Sequence, residues 1–138
     1  EMSGHIFFAD DYYGYDDALY VGLRLLQLLS NTNKSLSQLT KEIPKYFSTP
    51  EMRIDCINDK EKFKIAEKAV KYFKDNFECI TIDGVRIKFK NGWGLVRASN
   101  TQPVIVCRFE STSNSNLEEI KKLVLNKLKE FGDIKFNE

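Results

Sequence analysis

Two glycine-containing turn signals divide the second half of the chain into short strands. Asp83-Gly84 and Asn91-Gly92 are dipeptides that favour tight turns. Because Asn91-Gly92 is typical of a hairpin, the segments on either side of it are expected to run antiparallel. Apolar and β-branched runs beside the turns predict strands at about 81–90, 94–98 and 104–109. The last strands therefore form an antiparallel meander.

One further strand and two amphipathic helices frame this meander. Residues 52–57 alternate like a strand, and Asn58 with Glu61 is placed to cap the following helix. A final helix is predicted to begin at Asn116, with Glu119 in its first turn. The predicted buried stripes are Phe63, Ala66, Val70, Phe73 and Phe77 in the first helix, and Leu117, Ile120, Val124, Leu128 and Phe131 in the second. This order predicts an α+β domain, an antiparallel sheet of four or more strands with helices packed on one face.

The beginning of the chain has a different pattern. An acidic and aromatic loop precedes a helix predicted at 17–29, with Asp16 as its N-cap. This helix is apolar on almost every side, so it requires cover from several directions. The loop's aspartates do not have the spacing of an EF-hand, and they are interpreted as turn and cap residues: Asp10, Asp11, Asp16 and Asp17.

A short helix and a linker follow. Ser35 and Gln38 have the spacing of a capping box, and Pro44 ends the helix that they begin. Residues 45–50 are predicted to be a linker or domain boundary. The chain does not begin with Met, and we expect it to start inside a longer polypeptide.

Composition argues against two classes of partner. Lys and Arg number 21 and Asp and Glu number 20, so a net charge of +1 does not favour a strongly basic nucleic-acid binder. Acidic residues interrupt the lysines of the first predicted helix, which are expected to form a solvated face: Lys60, Lys62, Lys64, Lys68, Lys71 and Lys74. The most apolar run is too short to span a bilayer, so no membrane partner is expected.

The cysteines point to a reducing compartment. Their number is odd, no pair has metal-ligand spacing, and each lies in an apolar or strand-like context: Cys56, Cys79 and Cys107. They are predicted to be buried thiols, and a cytoplasmic location follows. No metal site is predicted within this chain.

The connection between the last two predicted strands has the composition of an oxyanion site. Arg97 has a planar fork of donors that matches phosphate oxygens. Ser99, Asn100 and Thr101 add neutral donors, and a turn backbone can direct N–H groups inward as an anion nest. Pro103 ends the turn. Taken alone, this segment also fits an ordinary polar turn.

Two motifs together resemble those of the α-D-phosphohexomutase family. Residues 1–5, Glu-Met-Ser-Gly-His, resemble the family's sugar-binding loop. Residues 92–103, which include Arg-Ala-Ser-Asn-Thr-Gln-Pro, resemble its C-terminal phosphate-binding loop. Residues 10–18 and 108–110 look like the same family, and the wording of both loops is most similar to the bacterial phosphomannomutase/phosphoglucomutase group.

The resemblance implies a division of the chain and a parent enzyme. Residues 1–45 would be the end of a third domain, and residues 46–138 a complete fourth domain that moves as a body on the linker. The parent would interconvert hexose 1-phosphate and hexose 6-phosphate, of mannose or glucose, through a bisphosphorylated intermediate. The family's phosphoserine and aspartate-rich magnesium loops belong to other domains, and nothing in this sequence resembles them. The chain alone is therefore expected to be inactive.

The resemblance also implies roles for individual residues. Arg97, Ser99, Asn100 and Thr101 would bind the phosphate that is not being transferred. Glu1 and Ser3 would hold the sugar's 3- and 4-hydroxyls. His5 would lie in the active cleft, where it would transfer a proton, contact substrate, or only hydrogen-bond the loop. The partners of this chain would be the hexose phosphate and the remaining domains of the parent enzyme. The parent would use Mg²⁺, bound by another domain, as cofactor and glucose 1,6-bisphosphate as activator.

Two interpretations stay open from the sequence. Trp93, between two glycines, would either stack on a sugar or pack against the loop. The alternative to a mutase is a free-standing α+β module that binds phosphate or nucleic acid, since a lysine-rich helix beside a sheet can serve that purpose.

Overall fold

The computed structural model describes residues 4–136. The chain divides into two compact units, Glu1–Pro44 and Lys45–Glu138. The division falls directly after Pro44, the residue that was predicted to end the short helix. The third-domain and fourth-domain assignments themselves stay predictions.

The first unit contains two helices, α1 (Ala18–Ser30) and α2 (Leu36–Thr40). Ser35 caps α2, and its capping box with Gln38 is present, as predicted. The cap of α1 differs from the prediction, because Asp17 and not Asp16 accepts hydrogen bonds from Leu19 N and Tyr20 N at 2.9 and 3.0 Å. Asp16 instead pairs with His5, so its carboxylate faces away from the helix.

The cap of α1 is expected to respond to acid. The Tyr12 hydroxyl, which donates to the Asp17 carboxylate, and the Tyr20 amide together hold the pKa of Asp17 below its ordinary value of 3.8. A depressed pKa means that the cap contributes stability above the unfolded-state pKa and loses it as pH falls through the folded-state pKa. We expect the Asp17 carboxyl carbon to titrate below 3.8 in an NMR pH series. In Tyr12→Phe the midpoint should move upward, and an unchanged midpoint would contradict this account.

The second unit is a seven-stranded antiparallel sheet with two long helices. The path through the sheet is β3-β4-β5-β6-β2-β7, and β1 also pairs with β6. The strands are β1 (Phe47–Ser48), β2 (Met52–Cys56), β3 (Cys79–Ile80), β4 (Val85–Phe89), β5 (Gly92–Ala98), β6 (Val104–Ser111) and β7 (Ile134–Phe136). The helices are α3 (Asp59–Asn76) and α4 (Asn114–Phe131). The predicted α+β fold is therefore confirmed.

Three strand predictions need correction. The strand predicted at 81–90 is shorter than predicted, because residues 81–84 form the connection that contains the Asp83-Gly84 turn; only β4 lies in the predicted range, and β3 precedes it. Residues predicted as linker include β1, and Thr49 is buried and bonded to Phe109, so this segment is attached to the sheet. Strand β7 was not predicted, since three residues are too few for a periodic signal.

The core lies between the helix pair and one face of the sheet. Buried side chains of both helices and of four strands form one cluster: Ile54, Cys56, Ile65, Ala69, Phe73, Val85, Ile87, Val96, Ile105, Cys107, Phe109, Leu117, Ile120, Val124 and Leu128. The predicted stripe of α4 is buried from Leu117 to Leu128, but its N-cap is Ser113, three residues earlier than predicted. All three thiols are free; Cys56 and Cys107 are buried, and Cys79 is half-buried.

The buried face of α3 differs from the predicted stripe. Ile65, Ala69 and Phe73 are fully buried, whereas Phe63 is 49% exposed. Lys62 is also on the buried face and is only 2% exposed, so the prediction of a solvated lysine is wrong at this position. Two sets of residues in this helix have helical spacing: the predicted stripe and the set that is buried in the structure. The buried set includes a lysine, a residue that is rarely buried, so the sequence pattern favours the other set.

Candidate functional site

The Arg97–Pro103 segment connects two paired strands at their ends. Arg97 and Ala98, the last residues of β5, pair with Val106 and Ile105 of β6. The Ser99 N–H donates to the Val104 carbonyl at 3.0 Å and closes the connection. The predicted meander is present here, and it places the loop at one edge of a rigid sheet.

Ser99 organises the loop from inside. The residue is 6% exposed, and its Oγ accepts from the backbone N–H groups of Thr101 and Gln102, both at 3.3 Å. These two N–H groups donate within the loop, which differs from the nest of inward N–H groups expected from the sequence. Ser99 Oγ thus uses its acceptor capacity within the loop, and the side chains of Asn100 and Thr101 are exposed.

Arg97 is held near the loop by a weak ion pair. Its Nη1 lies 3.4 Å from Asp83 Oδ2, with the arginine side chain 29% exposed and the aspartate 66% exposed. An exposed pair at this distance contributes at most about 1 kcal/mol. A phosphate dianion with a bidentate geometry would therefore displace Asp83 at small cost.

Gly84 brings Asp83 against the strand that carries Arg97. Its φ is +69°, and a Cβ placed on it would lie 2.2 Å from the Val96 carbonyl oxygen and 2.7 Å from Arg97 Cβ. The Asp83-Gly84 turn therefore packs directly against the backbone of β5. The turn signal was evident in the sequence, but the contact with Arg97 was not, because it joins residues on different strands.

The C-terminal part of the loop, Gln102 and Pro103, is bonded to three residues of two elements, α3 and β2. Lys62 Nζ of α3 donates to the Gln102 carbonyl at 2.8 Å. Arg53 Nη2 of β2 donates to the Gln102 side-chain oxygen at 2.5 Å. The Cys56 N–H donates to the Pro103 carbonyl at 2.8 Å. No local sequence pattern predicts these contacts, because the partners in each are at least 40 residues apart.

The sheet face opposite the helices is rich in cations. Strand register places Arg97, Val106 and Arg53 in one row across β5, β6 and β2. The next rows add Arg86, Lys88 and Arg108, while Asp55 and Glu110 are the acidic residues of the paired strands on this face. Carboxylates pair with several of these cations, as Glu51 does with Arg53, Glu78 with Lys88 and Asp83 with Arg97, so much of the positive charge on this face is balanced.

Trp93 is tied to its neighbours on this face. Its indole N–H donates to Glu110 Oε1 at 3.1 Å, and the Arg86 guanidinium lies 4.6 Å from the ring centroid. A ring occupied by a cation and fixed at its N–H serves packing of the sheet face. No contact with the Arg97–Pro103 loop is present among the described residues.

His5 is the described member of the predicted sugar loop, since Glu1 and Ser3 lie outside the described residues. Its Nδ1 forms a hydrogen bond with the Asp16 carboxylate, and the imidazole is 56% exposed. A carboxylate partner orients the ring and leaves Nε2 accessible. This arrangement suits proton transfer or substrate contact, and the choice between them stays a prediction.

Neither a metal centre nor a spanning helix is found in residues 4–136. No group of three or more histidine, cysteine, aspartate or glutamate side chains in this range could hold a metal ion. No helix in the same range has the length and hydropathy needed to cross a membrane. The predicted magnesium ion therefore has no ligand set among these residues, and we derive no step through it.

A half-buried arginine beside exposed amide and hydroxyl side chains, in a loop at the strand ends of an antiparallel sheet, defines a class of α+β domain whose loop carries donors suited to an oxyanion. Residues 51–127 match the family model described as "Phosphoglucomutase/phosphomannomutase, C-terminal domain". Residues 1–47 match the model described as "Phosphoglucomutase/phosphomannomutase, alpha/beta/alpha domain III". The chain belongs to the phosphoglucomutase/phosphomannomutase family.

Individual relatives agree with this assignment. A phosphomannomutase/phosphoglucomutase of Pseudomonas putida is 48% identical over 130 residues, which cover 93% of this chain and 28% of that protein. A phosphoglucomutase of Neisseria gonorrhoeae is 42% identical over 123 residues, 88% of this chain and 26% of that protein. A crystal structure of a phosphoglucomutase/phosphomannomutase family protein from Burkholderia thailandensis superimposes with a TM-score of 0.77 and 39% identity, over 99% of this chain and 29% of that one. The chain thus spans less than a third of the length of these relatives.

Proposed function

We propose that the chain is the phosphate-recognition part of a mutase that interconverts hexose 1-phosphate and hexose 6-phosphate of mannose or glucose. In this role Arg97, Ser99, Asn100 and Thr101 bind the phosphate group that is not being transferred. The observation that carries the proposal is the loop itself, in which a half-exposed arginine and exposed amide and hydroxyl side chains meet at the end of a rigid sheet.

The charge of this site suits a ligand that must bind and leave. Arg97 supplies one full positive charge, and the other donors are neutral. The Asp83 carboxylate competes for the same guanidinium at 3.4 Å, so a bound phosphate replaces an existing weak pair. A bisphosphorylated intermediate that turns over inside the cleft needs such reversible binding, because a stronger cluster of charges would retain it.

Sugar recognition is assigned to the other end of the chain. Glu1 and Ser3 would hold the 3- and 4-hydroxyls, since a carboxylate accepts hydrogen bonds from neighbouring hydroxyls. Glucose and mannose differ at carbon 2, which these contacts would not reach, so both sugars would be accepted. His5, oriented by Asp16, would contact substrate or move a proton.

The remaining chemistry would lie in other domains of the parent enzyme. A phosphoserine would donate the phosphoryl group, Mg²⁺ would supply charge neutralisation there, and glucose 1,6-bisphosphate would serve as activator. We expect the 138 residues alone to bind phosphate without transferring it, and to act in the cytoplasm. Because β1 attaches residues 47–48 to the sheet, a body motion of this domain would bend before Phe47.

The experiment measures phosphate binding and compares two arginines of the same sheet face. We expect Arg97→Ala to weaken binding of inorganic phosphate to the chain by about 10- to 100-fold, as expected for loss of a charged hydrogen-bonding partner. Arg86→Ala removes a charge that lies against Trp93, and it should change the dissociation constant by less than about threefold. NMR titration of the loop amides gives both constants.

An activity assay of the complete mutase and a nucleic-acid binding assay can each contradict the proposal. In the complete mutase, Arg97→Ala should lower both substrate affinity and turnover, and unchanged values would reject the assigned role. A nucleic-acid module would instead show tight binding of duplex or single-stranded nucleic acid that weakens steeply with salt. That result, with no binding of inorganic phosphate or hexose phosphate, would favour the alternative module.

A further inference from the structure

Lys62 is a buried cation whose position packing does not explain. It lies in the first turn of α3 and is 2% exposed. Burying an ammonium removes its hydration, which is strongly unfavourable unless charged and polar partners replace the water. Here the partners are Asp59 Oδ1 at 2.6 Å, the Gln102 carbonyl at 2.8 Å and the Phe63 ring at 4.8 Å.

An apolar side chain of the same length would fill this space without the cost of desolvation. What only a cation with several N–H donors provides is the bond to Gln102, which joins α3 to a loop 40 residues later. The same carbonyl accepts from the Val104 N–H at 2.8 Å. Both lone pairs of this oxygen are therefore used, and the peptide between Gln102 and Pro103 is held in one orientation.

Gln102 is also hydrogen-bonded to Ser99, a residue of the proposed anion site, so the orientation of Gln102 affects that site. The Gln102 N–H donates to Ser99 Oγ at 3.3 Å, alongside the Thr101 N–H at the same distance. Ser99 is in turn bonded through its own N–H to the Val104 carbonyl. Gln102 is thus connected to both ends of the turn, and the exposed Asn100 lies between the residues that it fixes.

We propose that Lys62 is a positioning residue for phosphate binding, which holds the Ser99–Thr101 turn in its ligand-binding conformation through the Gln102 carbonyl. The inference rests on the proposed function of the loop. Asp59 keeps the ammonium in place, and the loop reaches its binding geometry before the ligand arrives. Less conformational entropy is then lost when phosphate binds, so affinity rises without a new contact to the ligand.

The test replaces two lysines of α3 that make the same kind of bond. Lys68 Nζ donates to the Phe131 carbonyl at 2.8 Å, a bond of the same length that ends away from the loop. We expect Lys62→Met to weaken binding of inorganic phosphate by about tenfold, because a charged hydrogen bond that orders the loop is lost. Lys68→Met should change binding by less than about twofold.

A second measurement needs no substitution and remains available if Lys62→Met does not fold. In the wild-type chain the Lys62 ammonium should give a protected ¹⁵N resonance coupled to the Gln102 carbonyl carbon. Because this bond is already present in the free loop, saturation with inorganic phosphate should leave the coupling and the protection in place. A Lys62 ammonium that exchanges freely with solvent, or that lacks the coupling in the phosphate-bound chain, would overturn the proposal.

The outcomes separate the two levels of inference. If the wild-type chain and the complete mutase both fail to bind inorganic phosphate or hexose phosphate, the proposed function fails. If the wild type binds, Arg97→Ala does not, and Lys62→Met binds like the wild type, the phosphate site stands and the role of Lys62 is rejected. Selective loss of protection at the Thr101 and Gln102 amides in Lys62→Met, with α3 amides unchanged, would support positioning.

Discussion

Replacing Gly84 with alanine is expected to lower the free energy of unfolding of the sheet unit by about 3 kcal/mol and to weaken phosphate binding as well. The backbone of Gly84 has φ +69°, which costs an alanine about 1–2 kcal/mol. Its Cβ would also lie 2.2 Å from the Val96 carbonyl oxygen, so the turn must move away from β5. The same Cβ would lie 2.7 Å from Arg97 Cβ, so Arg97 must shift relative to the loop, and this loss is expected to outweigh the release of its competitor Asp83.

Urea unfolding followed by the fluorescence of Trp93, together with a phosphate titration, measures both effects. Gly22→Ala is the matched control, because Gly22 lies inside α1 and a Cβ there would meet no atom within 4 Å. It should leave the sheet unit's stability and its phosphate affinity unchanged. If the Gly84→Ala variant unfolds with the same free energy as the wild type, the turn does not pack against β5 as closely as described.

The second large effect is expected from Phe73→Ala, which should cost about 3–5 kcal/mol of unfolding free energy. Phe73 is 0% exposed and lies in the core between α3 and the sheet, with the Tyr72 and Phe77 rings at 5.2 and 5.9 Å. Removing its ring leaves a cavity that the surrounding strands cannot close. Phosphate affinity should be preserved in the fraction that remains folded, since the loop lies elsewhere.

Phe63→Ala is the control that tests the orientation of α3. Both phenylalanines belong to the stripe predicted from the sequence, but Phe63 is 49% exposed. We expect its removal to cost about 1 kcal/mol or less. Equal losses in the two variants would mean that the helix is rotated toward the predicted stripe, and that Lys62 is more exposed than described.

The fold was largely predictable because its signals are local. The two glycine turns, the period of two in the strands and the caps at Ser35 and Asn58 each depend on a few neighbouring residues. The predictions that failed involved competition between neighbours. Asp16 and Asp17 are both good caps, and the choice between them depended on His5, which draws Asp16 away from the helix.

The candidate site was predictable in its composition but not in its support. Arg97, Ser99, Asn100 and Thr101 are adjacent in sequence, so their chemistry could be recognised as a group. Their supporting residues come from α3, β2 and the turn before β4, which are distant from the loop in sequence. Ser99, which the proposal keeps as a ligand donor, is in addition the buried centre of the turn, and its burial could not be predicted from the loop's composition.

The class of fold, the loop with its arginine and the resemblance to a mutase family could all be predicted from the sequence, because each depends on contiguous residues. The burial of Lys62 and the position of Asp83 against Arg97, set by Gly84, became evident in the folded chain. A lysine's exposure and a turn's neighbour depend on how distant elements pack. No local pattern encodes the partner that a buried charge will find.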